Sequence, residues 1–298
     1  MGNQSRLFAE LWRERKSGRV YKDLLSADVN SKGVLDVDVV KGCASGMAAN
    51  PGVGCYAACY AARIAKARGF DFSVAVTRTV QYDEQRKEIE AAVRAAPYGF
   101  FRIGTMGDPS HAWEDTVRTA EWLSAFARAV VITKHWAVAS DEQLRRLIAC
   151  HAVLNTSVSA LDTAAELAHR VGQFNRFKSL GGDSVARIVS CHFNRNCAEG
   201  AARAAIQDAL FLLRPVLDNP LRLTDAHRLV RDGIVNVVRI RDLTAVRTIS
   251  LANPNTHIGH CSACPDLCGL SLDGVSKASP RPRDEAQLGL WNNHEATA

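Results

Sequence analysis

Short runs of β-branched and aromatic residues alternate with amphipathic helical patterns along most of the chain. The apolar runs predict strands at residues 34–40, 100–105, 129–133, 153–158, 185–190 and 210–216, with a further strand at 235–240. Helical patterns lie between and after these runs, at residues 60–68, 81–95, 113–128, 140–150, 162–171, 198–208 and 224–232. Such alternation is typical of parallel βαβ units. With no glycine-rich dinucleotide motif after the first strand, it predicts an α/β fold built as a partial or complete (β/α) barrel.

The barrel pattern occupies residues 31–245, and shorter segments flank it. Residues 1–30 are charged and predict an appended N-terminal helix, residues 246–275 predict a Cys-rich metal-binding extension, and residues 276–298 predict a disordered tail. No apolar run approaches the roughly 20 residues of a membrane helix, and the N-terminus has no apolar signal segment. We therefore expect a cytoplasmic protein without a membrane partner.

The nine cysteines are clustered. In a reducing compartment such clusters indicate metal binding or catalysis rather than disulfides. Isolated cysteines in apolar strands are usually inert core residues, which is how we interpret Cys150 and Cys191. Six other cysteines form two groups. The first group is Cys43, Cys55 and Cys59, and the second group is Cys261, Cys264 and Cys268.

The first group lies in a loop rich in glycine and alanine that follows the first predicted strand. A closed zinc site needs four ligands, and this loop contains no fourth cysteine or histidine. Three thiolates suit an iron–sulfur cluster with one open iron, and the small residues let the backbone wrap closely around it. A structural metal site and unligated core thiols remain the alternatives.

Polar and glycine residues also follow the later predicted strands. In a (β/α) barrel the loops after the strands build the active site. His135 is a reasonable proton donor to a substrate there, or else it holds a neighbouring residue by a hydrogen bond. The full set is Gly104, Met106, Gly107 and Asp108 after the second strand, Lys134 and His135 after the third, and Ser157 and Ser159 at the fourth.

The order of these motifs resembles a known family. The chain contains, in order, the motifs GC…GC…CYA, Met-Gly-Asp, VITKH and TSVS. This order is similar to a phage- and mobile-element-associated radical-SAM-like family. That family is related to spore photoproduct lyase within the radical S-adenosylmethionine (SAM) superfamily. The similarity covers residues 42–160, about 40% of the chain by that span. The cysteine spacing here is C-x11-C-x3-C, whereas the superfamily has C-x3-C-x2-C.

This resemblance implies a barrel of the radical SAM type with two cofactors. Cys43, Cys55 and Cys59 would ligate a [4Fe–4S] cluster, and SAM would complete its open iron, with one electron coming from an external donor. Gly104, Met106, Gly107 and Asp108 line up with the glycine-rich motif that holds the amino group of SAM. Ser157 and Ser159 would approach its ribose or carboxylate, and Lys134 would contact a carboxylate or a substrate phosphate.

The second group, with His260 directly before it, has the spacing C-x2-C-x3-C. It suits a zinc site with one histidine and three cysteines. It also suits an auxiliary iron–sulfur cluster, for which Cys197 or His260 would be the fourth ligand. The sequence favours the iron–sulfur cluster only slightly.

The basic residues are mostly arginine, 28 against nine lysines. Arginine suits phosphate contacts, although a base bias of the genome explains such a composition equally well. We expect a radical SAM enzyme that acts on an unknown substrate, with a nucleic acid or nucleotide as the first candidate. The alternatives are a non-enzymatic nucleic-acid-binding protein stabilised by zinc or iron–sulfur, and a degenerate barrel that keeps iron without cleaving SAM.

Overall fold

The computed structural model describes residues 23–48, 58–242, 245–253 and 256–277. Its strands are β1 (Asp23–Leu24), β2 (Ala27–Val29), β3 (Leu35–Val37), β4 (Val40–Lys41), β5 (Val76–Thr79), β6 (Phe100–Ile103), β7 (Arg128–Thr133), β8 (Val153–Val158), β9 (Asp183–Ile188), β10 (Val216–Asp218), β11 (Val238–Asp242) and β12 (Ala245–Ile249). Its helices are α1 (Ala44–Ala48), α2 (Tyr60–Ala67), α3 (Asp83–Arg94), α4 (Trp113–Leu123), α5 (Asp141–Ala149), α6 (Ala164–Ser179), α7 (Ala198–Leu210) and α8 (Arg228–Arg231).

Seven strands form the main sheet, in the order β10-β9-β8-β7-β6-β3-β2. All neighbours from β3 to β10 are parallel, and only the edge strand β2 is antiparallel to its neighbour. The spatial order follows the chain order and never reverses, whereas a doubly wound sheet has a reversal point. The α/β prediction is therefore confirmed, and the topology is compatible with a partial (β/α) barrel whose edges, within the described residues, stay unpaired with each other.

The helices cover one face of this sheet, which we call the outer face. Successive side chains of a strand point to opposite faces. Phe101 and Ile103 of β6 accordingly share a buried core with apolar residues of α3, α4, α5 and α6. Ala186 and Ile188 of β9 join a second core with residues of α6 and α7. One-sided coverage by helices is what a barrel has and what a doubly wound sheet lacks.

The opposite, inner face is apolar near the start of the strands. Phe100, Val153 and Val185 lie there together and pack against the C-terminal segment, through Leu267, Leu270 and Val275 among others. Arg128, the first residue of β7, ties this segment down by donating to the Ser276 carbonyl and pairing with Asp183. Residues 261–276 therefore fill the inner face at the amino ends of the strands.

Local signals explain where the longer helices begin. Ser140 and Thr163 each form a capping box, in which the hydroxyl accepts from the third helical amide and that residue's side chain accepts in return. The helix after Thr163 is longer than predicted and ends at Ser179. Its extension is stabilised because Arg170, Phe174 and Phe177 are buried at helical spacing.

Several predicted elements are wrong. The strand predicted at 34–40 divides into β3 and β4 around Asp38. The strand predicted at residues 210–216 is absent except for its last residue. Helix α7 continues to Leu210 and buries it, and β10 begins only at Val216. The strand predicted at 235–240 is not a seventh barrel strand, because β11 pairs with β12 in an antiparallel hairpin. Sequence analysis also missed β5, which pairs with β1 and β4 in a small second sheet.

Two further predicted segments lie mostly outside the described residues: the N-terminal helix up to residue 22, and the tail beyond residue 277. Residues 23–30, the described end of the first segment, contain β1 and β2 rather than helix. Within the part of the chain that the structure describes, no helix combines the length and apolar character that crossing a membrane requires.

Candidate active site

Cys43 lies at the carboxyl ends of the strands, where the loop after β4 meets the loop after β6. The Gly42 amide donates to the Met106 carbonyl at 2.9 Å, and Gly42 forms a parallel bridge with Gly107. Gly42 has a φ of 90°, and a Cβ there would lie 2.1 Å from the Val74 carbonyl oxygen, so only glycine fits. The structure thus brings Cys43 next to the loop of residues 104–108, as the sequence predicts.

Cys59 joins Cys43 in one small cluster. It directly precedes α2, and both half-buried cysteines pack with Met106 and their neighbours against a buried core. Burial raises the pKa of the Cys43 thiol to about 12, and the Asp108 carboxylate adds to this shift. The Gly46 amide opposes the shift by a hydrogen bond to the sulfur. Cys55 lies outside the described residues, so its part in this site stays a prediction.

Asp38 organises the loop beside these thiols. Its carboxylate accepts from three successive amides, those of Gly104 at 3.0 Å, Thr105 at 2.6 Å and Met106 at 3.0 Å. Burial, together with repulsion from Asp36, raises the pKa of Asp38 to about 6, while the loop amides oppose the shift. Sequence analysis missed this residue. The available signal was the acidic residue at alternate positions of an apolar strand, VLDVDVV.

The predicted SAM-binding glycines leave the loop without bulk. Gly104 has a φ of 104°, and a Cβ there would lie 2.2 Å from the Ile132 carbonyl oxygen. A Cβ on Gly107 would lie 2.3 Å from the Val40 carbonyl oxygen. Both positions therefore require glycine because the β6 loop packs directly on neighbouring backbone.

Asp108 is buried and already bonded within the chain. Its Oδ1 accepts from the Ser110 amide and hydroxyl and from the Thr133 hydroxyl, and its Oδ2 accepts from the Lys134 amide at 2.7 Å. These bonds join the loops after β6 and β7. The carboxylate thus holds the rim of the site in place, and its predicted contact with the amino group of SAM stays a prediction.

Lys134 lies in a buried network of ion pairs. Its Nζ donates to Asp162 Oδ1 at 3.1 Å, and Arg170 pairs with Asp162 Oδ2 at 2.8 Å. The side chains of Asp162 and Arg170 are each only 1% exposed. In this arrangement Lys134 supports the loops after β7 and β8. Sequence analysis missed both of its partners, since nothing local marks a buried carboxylate that serves two cations.

His135 is buried beneath the same rim and has a φ of 53°. Its Nε2 lies 3.0 Å from the Thr156 hydroxyl, and its ring lies 5.7 Å from that of Trp113. Burial lowers the pKa of His135 to about 4, so the imidazole is neutral near pH 7. Its Nδ1 has no hydrogen-bond partner among the described residues. The predicted proton transfer to a substrate stays a prediction.

The two predicted serines differ in their surroundings. Ser159 donates to the Val189 carbonyl at 2.8 Å and accepts from the Leu161 amide, so it holds the end of β8. Ser157 lies on the inner face, because its neighbours Thr156 and Val158 contact outer residues. Its register partner on β9 is Arg187. Ser157 is therefore the predicted serine that faces the interior.

Tyr60 lies at the mouth of the inner face, directly after Cys59. Its hydroxyl donates to the Thr105 carbonyl at 2.5 Å, although the residue is 49% exposed. Burial of the hydroxyl end raises the pKa of Tyr60, and the nearby Asp38 adds to the shift. Tyr60 thus links the first cysteine group to the carboxylates of the inner face.

The second cysteine group lies at the other end of this interior. The Cys261 amide donates to the Lys32 carbonyl at 3.1 Å, and Asn155 on the inner face of β8 donates to the Cys268 carbonyl at 2.9 Å. All three thiols are half-buried. Cys197 lies elsewhere, with its sulfur accepting from the Gly200 amide at the start of α7. Across the described ranges, no three His, Cys, Asp or Glu side chains converge as a metal site.

The residues around Cys43 and Cys59 nevertheless suit an iron–sulfur cluster. They supply two soft sulfur donors at one rim, and the glycine loop beside them has no side-chain bulk at Gly104 or Gly107. Comparisons with protein-family models, with curated proteins and with solved structures find no match to this chain.

Proposed function

We propose that this chain is a radical SAM enzyme whose first cysteine group, Cys43, Cys55 and Cys59, holds a [4Fe–4S] cluster. The supporting observation is that Cys43 and Cys59 lie together beside the glycine loop of residues 104–108, at the carboxyl ends of parallel strands. That is the end of a (β/α) barrel where active sites are built.

The cluster with SAM at its open iron would supply reductive cleavage of SAM, using an electron from an external donor. The chain's own residues prepare the rim. Asp38 fixes the backbone of residues 104–106 through its three amide bonds. Asp108 fastens the loop after β6 to the loop after β7. Neutral His135 lies below this rim and accepts or donates one hydrogen bond at Thr156 without adding charge.

The decisive experiment is anaerobic purification with analysis of iron and sulfide, followed by addition of SAM and a strong reductant. We expect a brown protein that releases 5′-deoxyadenosine. Cys59→Ala should lose the first cluster, while Cys150→Ala, a buried thiol under α5, should keep it. A colourless zinc protein, or unchanged iron in Cys59→Ala, would contradict the proposal.

A second candidate is a non-enzymatic binding protein stabilised by metal. It is favoured because the side chains of Asp108 and Lys134 are bonded to other residues of the chain, so their polar groups stabilise the fold. A colourless protein that contains zinc would support this candidate in the same experiment. Iron without SAM cleavage would instead favour a degenerate barrel that keeps its cluster.

A further inference from the structure

Four basic side chains surround the interior above the second cysteine group. Arg102 and Arg187 point inward from β6 and β9, because their strand neighbours belong to the outer cores. Lys32 precedes β3 and Arg222 follows β10; both approach the Ile258 carbonyl, at 3.5 and 3.4 Å. Lys32 and Arg222 therefore meet at one carbonyl, and Arg102 and Arg187 project from the inner face of the sheet.

Only part of this positive charge is balanced by an ion pair. Arg102 forms a two-pronged pair with Asp36, at 2.8 and 3.1 Å. Arg187 donates to the Asn219 side chain at 2.7 Å, and neither Arg187 nor Lys32 forms an ion pair with any described residue. Burying cations in this way is costly unless a counter-charge is present.

The nearby carboxylates are committed to other groups. Asp38 holds the amides of residues 104–106. Asp218, which lies near Arg187, accepts from the Ser190 and Thr256 hydroxyls. The thiols of Cys264 and Cys268 also lie close to Arg187. No carboxylate of the described residues therefore forms an ion pair with Arg187 or Lys32.

The cations of the inner face keep some exposure to solvent. All four cations are partly exposed, and half-exposed Tyr60 stands at the mouth. Ser157, next to Arg187 in the sheet register, offers a hydroxyl that no described residue engages.

We propose that the inner face binds a phosphate-bearing small molecule, held by Arg187, Arg102 and Lys32 with Ser157 as a further donor. A phosphate monoester carries close to two negative charges and three acceptor oxygens, which suits several cations better than one carboxylate does. The planar guanidinium of Arg187 matches a pair of phosphate oxygens. Binding of this ligand needs no iron chemistry, so it does not depend on the proposed function. Only the statement that the ligand is the substrate rests on the proposed function.

The test is isothermal titration calorimetry on the anaerobically purified full chain. The probes are inorganic phosphate, a nucleoside 5′-monophosphate and malonate. Arg187→Gln should weaken phosphate binding by about 10-fold or more. Arg118→Gln, which changes a 65% exposed arginine on α4, is the matched control and should bind as the unaltered protein does. Lys32→Gln is a second variant in case Arg187→Gln does not fold, and should also weaken binding.

The outcomes separate the possibilities. Tighter binding of the nucleotide than of phosphate supports a nucleotide substrate, and equal binding supports recognition of the phosphate alone. Three results overturn the proposal: no binding by the unaltered protein, malonate binding as tightly as phosphate, or Arg187→Gln changing metal content while phosphate affinity stays the same. The last would mean that the cations serve the second cysteine group. Phosphate binding without SAM cleavage would refute the proposed function alone.

Discussion

Replacing Gly104 by alanine tests whether the loop beside the first cysteines depends on close backbone packing. Gly104 has a φ of 104°, and an added Cβ would lie 2.2 Å from the Ile132 carbonyl oxygen. Backbone cannot move aside as the end of a flexible side chain can, so the loop itself must shift. A shift pulls the amides of residues 104–106 away from Asp38, which accepts from all three.

The expected cost has two parts. A non-glycine residue in a left-handed conformation costs roughly 1–2 kcal/mol. Weakening the amide bonds to Asp38 costs about 1 kcal/mol or more for each bond lost. We therefore expect Gly104→Ala to lower the free energy of unfolding by about 4–5 kcal/mol when all three bonds are lost.

Gly69 provides the matched control, since its φ is 72° and an added Cβ would meet nothing within 4 Å. Gly69→Ala should show the conformational cost alone, roughly 1–2 kcal/mol. Urea denaturation of both variants and of the unaltered protein, followed by circular dichroism, measures the difference. If Gly104→Ala costs no more than Gly69→Ala, the close packing of this loop does not matter and the reasoning fails.

Three other predictions follow from the buried groups. Burial lowers the pKa of His135 from 6.5 to about 4. Its contribution to the free energy of unfolding, about 3 kcal/mol, is therefore present above pH 6.5 and is lost as the pH falls to about 4. Between pH 7 and pH 5, urea denaturation should show a smaller loss of stability for His135→Gln than for the unaltered protein. Asp162→Asn leaves two buried cations without their shared carboxylate and should lower the free energy of unfolding by about 3–5 kcal/mol. Asp208→Asn, in an exposed pair, should cost only about 0–1 kcal/mol. Equal losses of stability in chemical denaturation would contradict the burial argument. Tyr60→Phe removes one bond to the 104–106 loop and should cost about 0.5–1.5 kcal/mol in the same assay, with a larger loss indicating a further role.

The sequence pattern predicted those features that depend on neighbouring residues. The strand at Val153–Val158 has the predicted bounds, and α2 begins at the predicted residue, Tyr60. Periodic burial and helix starts are local properties, so they can be read from a single stretch of chain. The meeting of Cys43 with the loop of residues 104–108 was also predictable, because the carboxyl ends of parallel strands lie at one edge of a sheet.

The bonding of the charged residues could not be predicted in the same way. Asp38 is bonded to amides 66 to 68 residues away, and Lys134 to a carboxylate 28 residues away. An acidic or basic residue has the same appearance in sequence whether it holds a loop, balances a buried charge or awaits a ligand. Asp108 and Lys134 were singled out by position, yet their partners depend on how separate strands are brought together.

The division of the inner face into two layers connects the fold to both proposals. In a small closed barrel, inward-pointing side chains fill the interior. Here Phe100, Val153 and Val185 fill it at the amino ends, where the C-terminal segment covers them. Further along the same strands the inward residues become polar, as at Arg102 and Arg187. A polar layer that is only partly exposed is costly to maintain without a ligand. The cations therefore give a physical reason for the proposed phosphate site between the two cysteine groups, and that reason does not depend on a metal at either group.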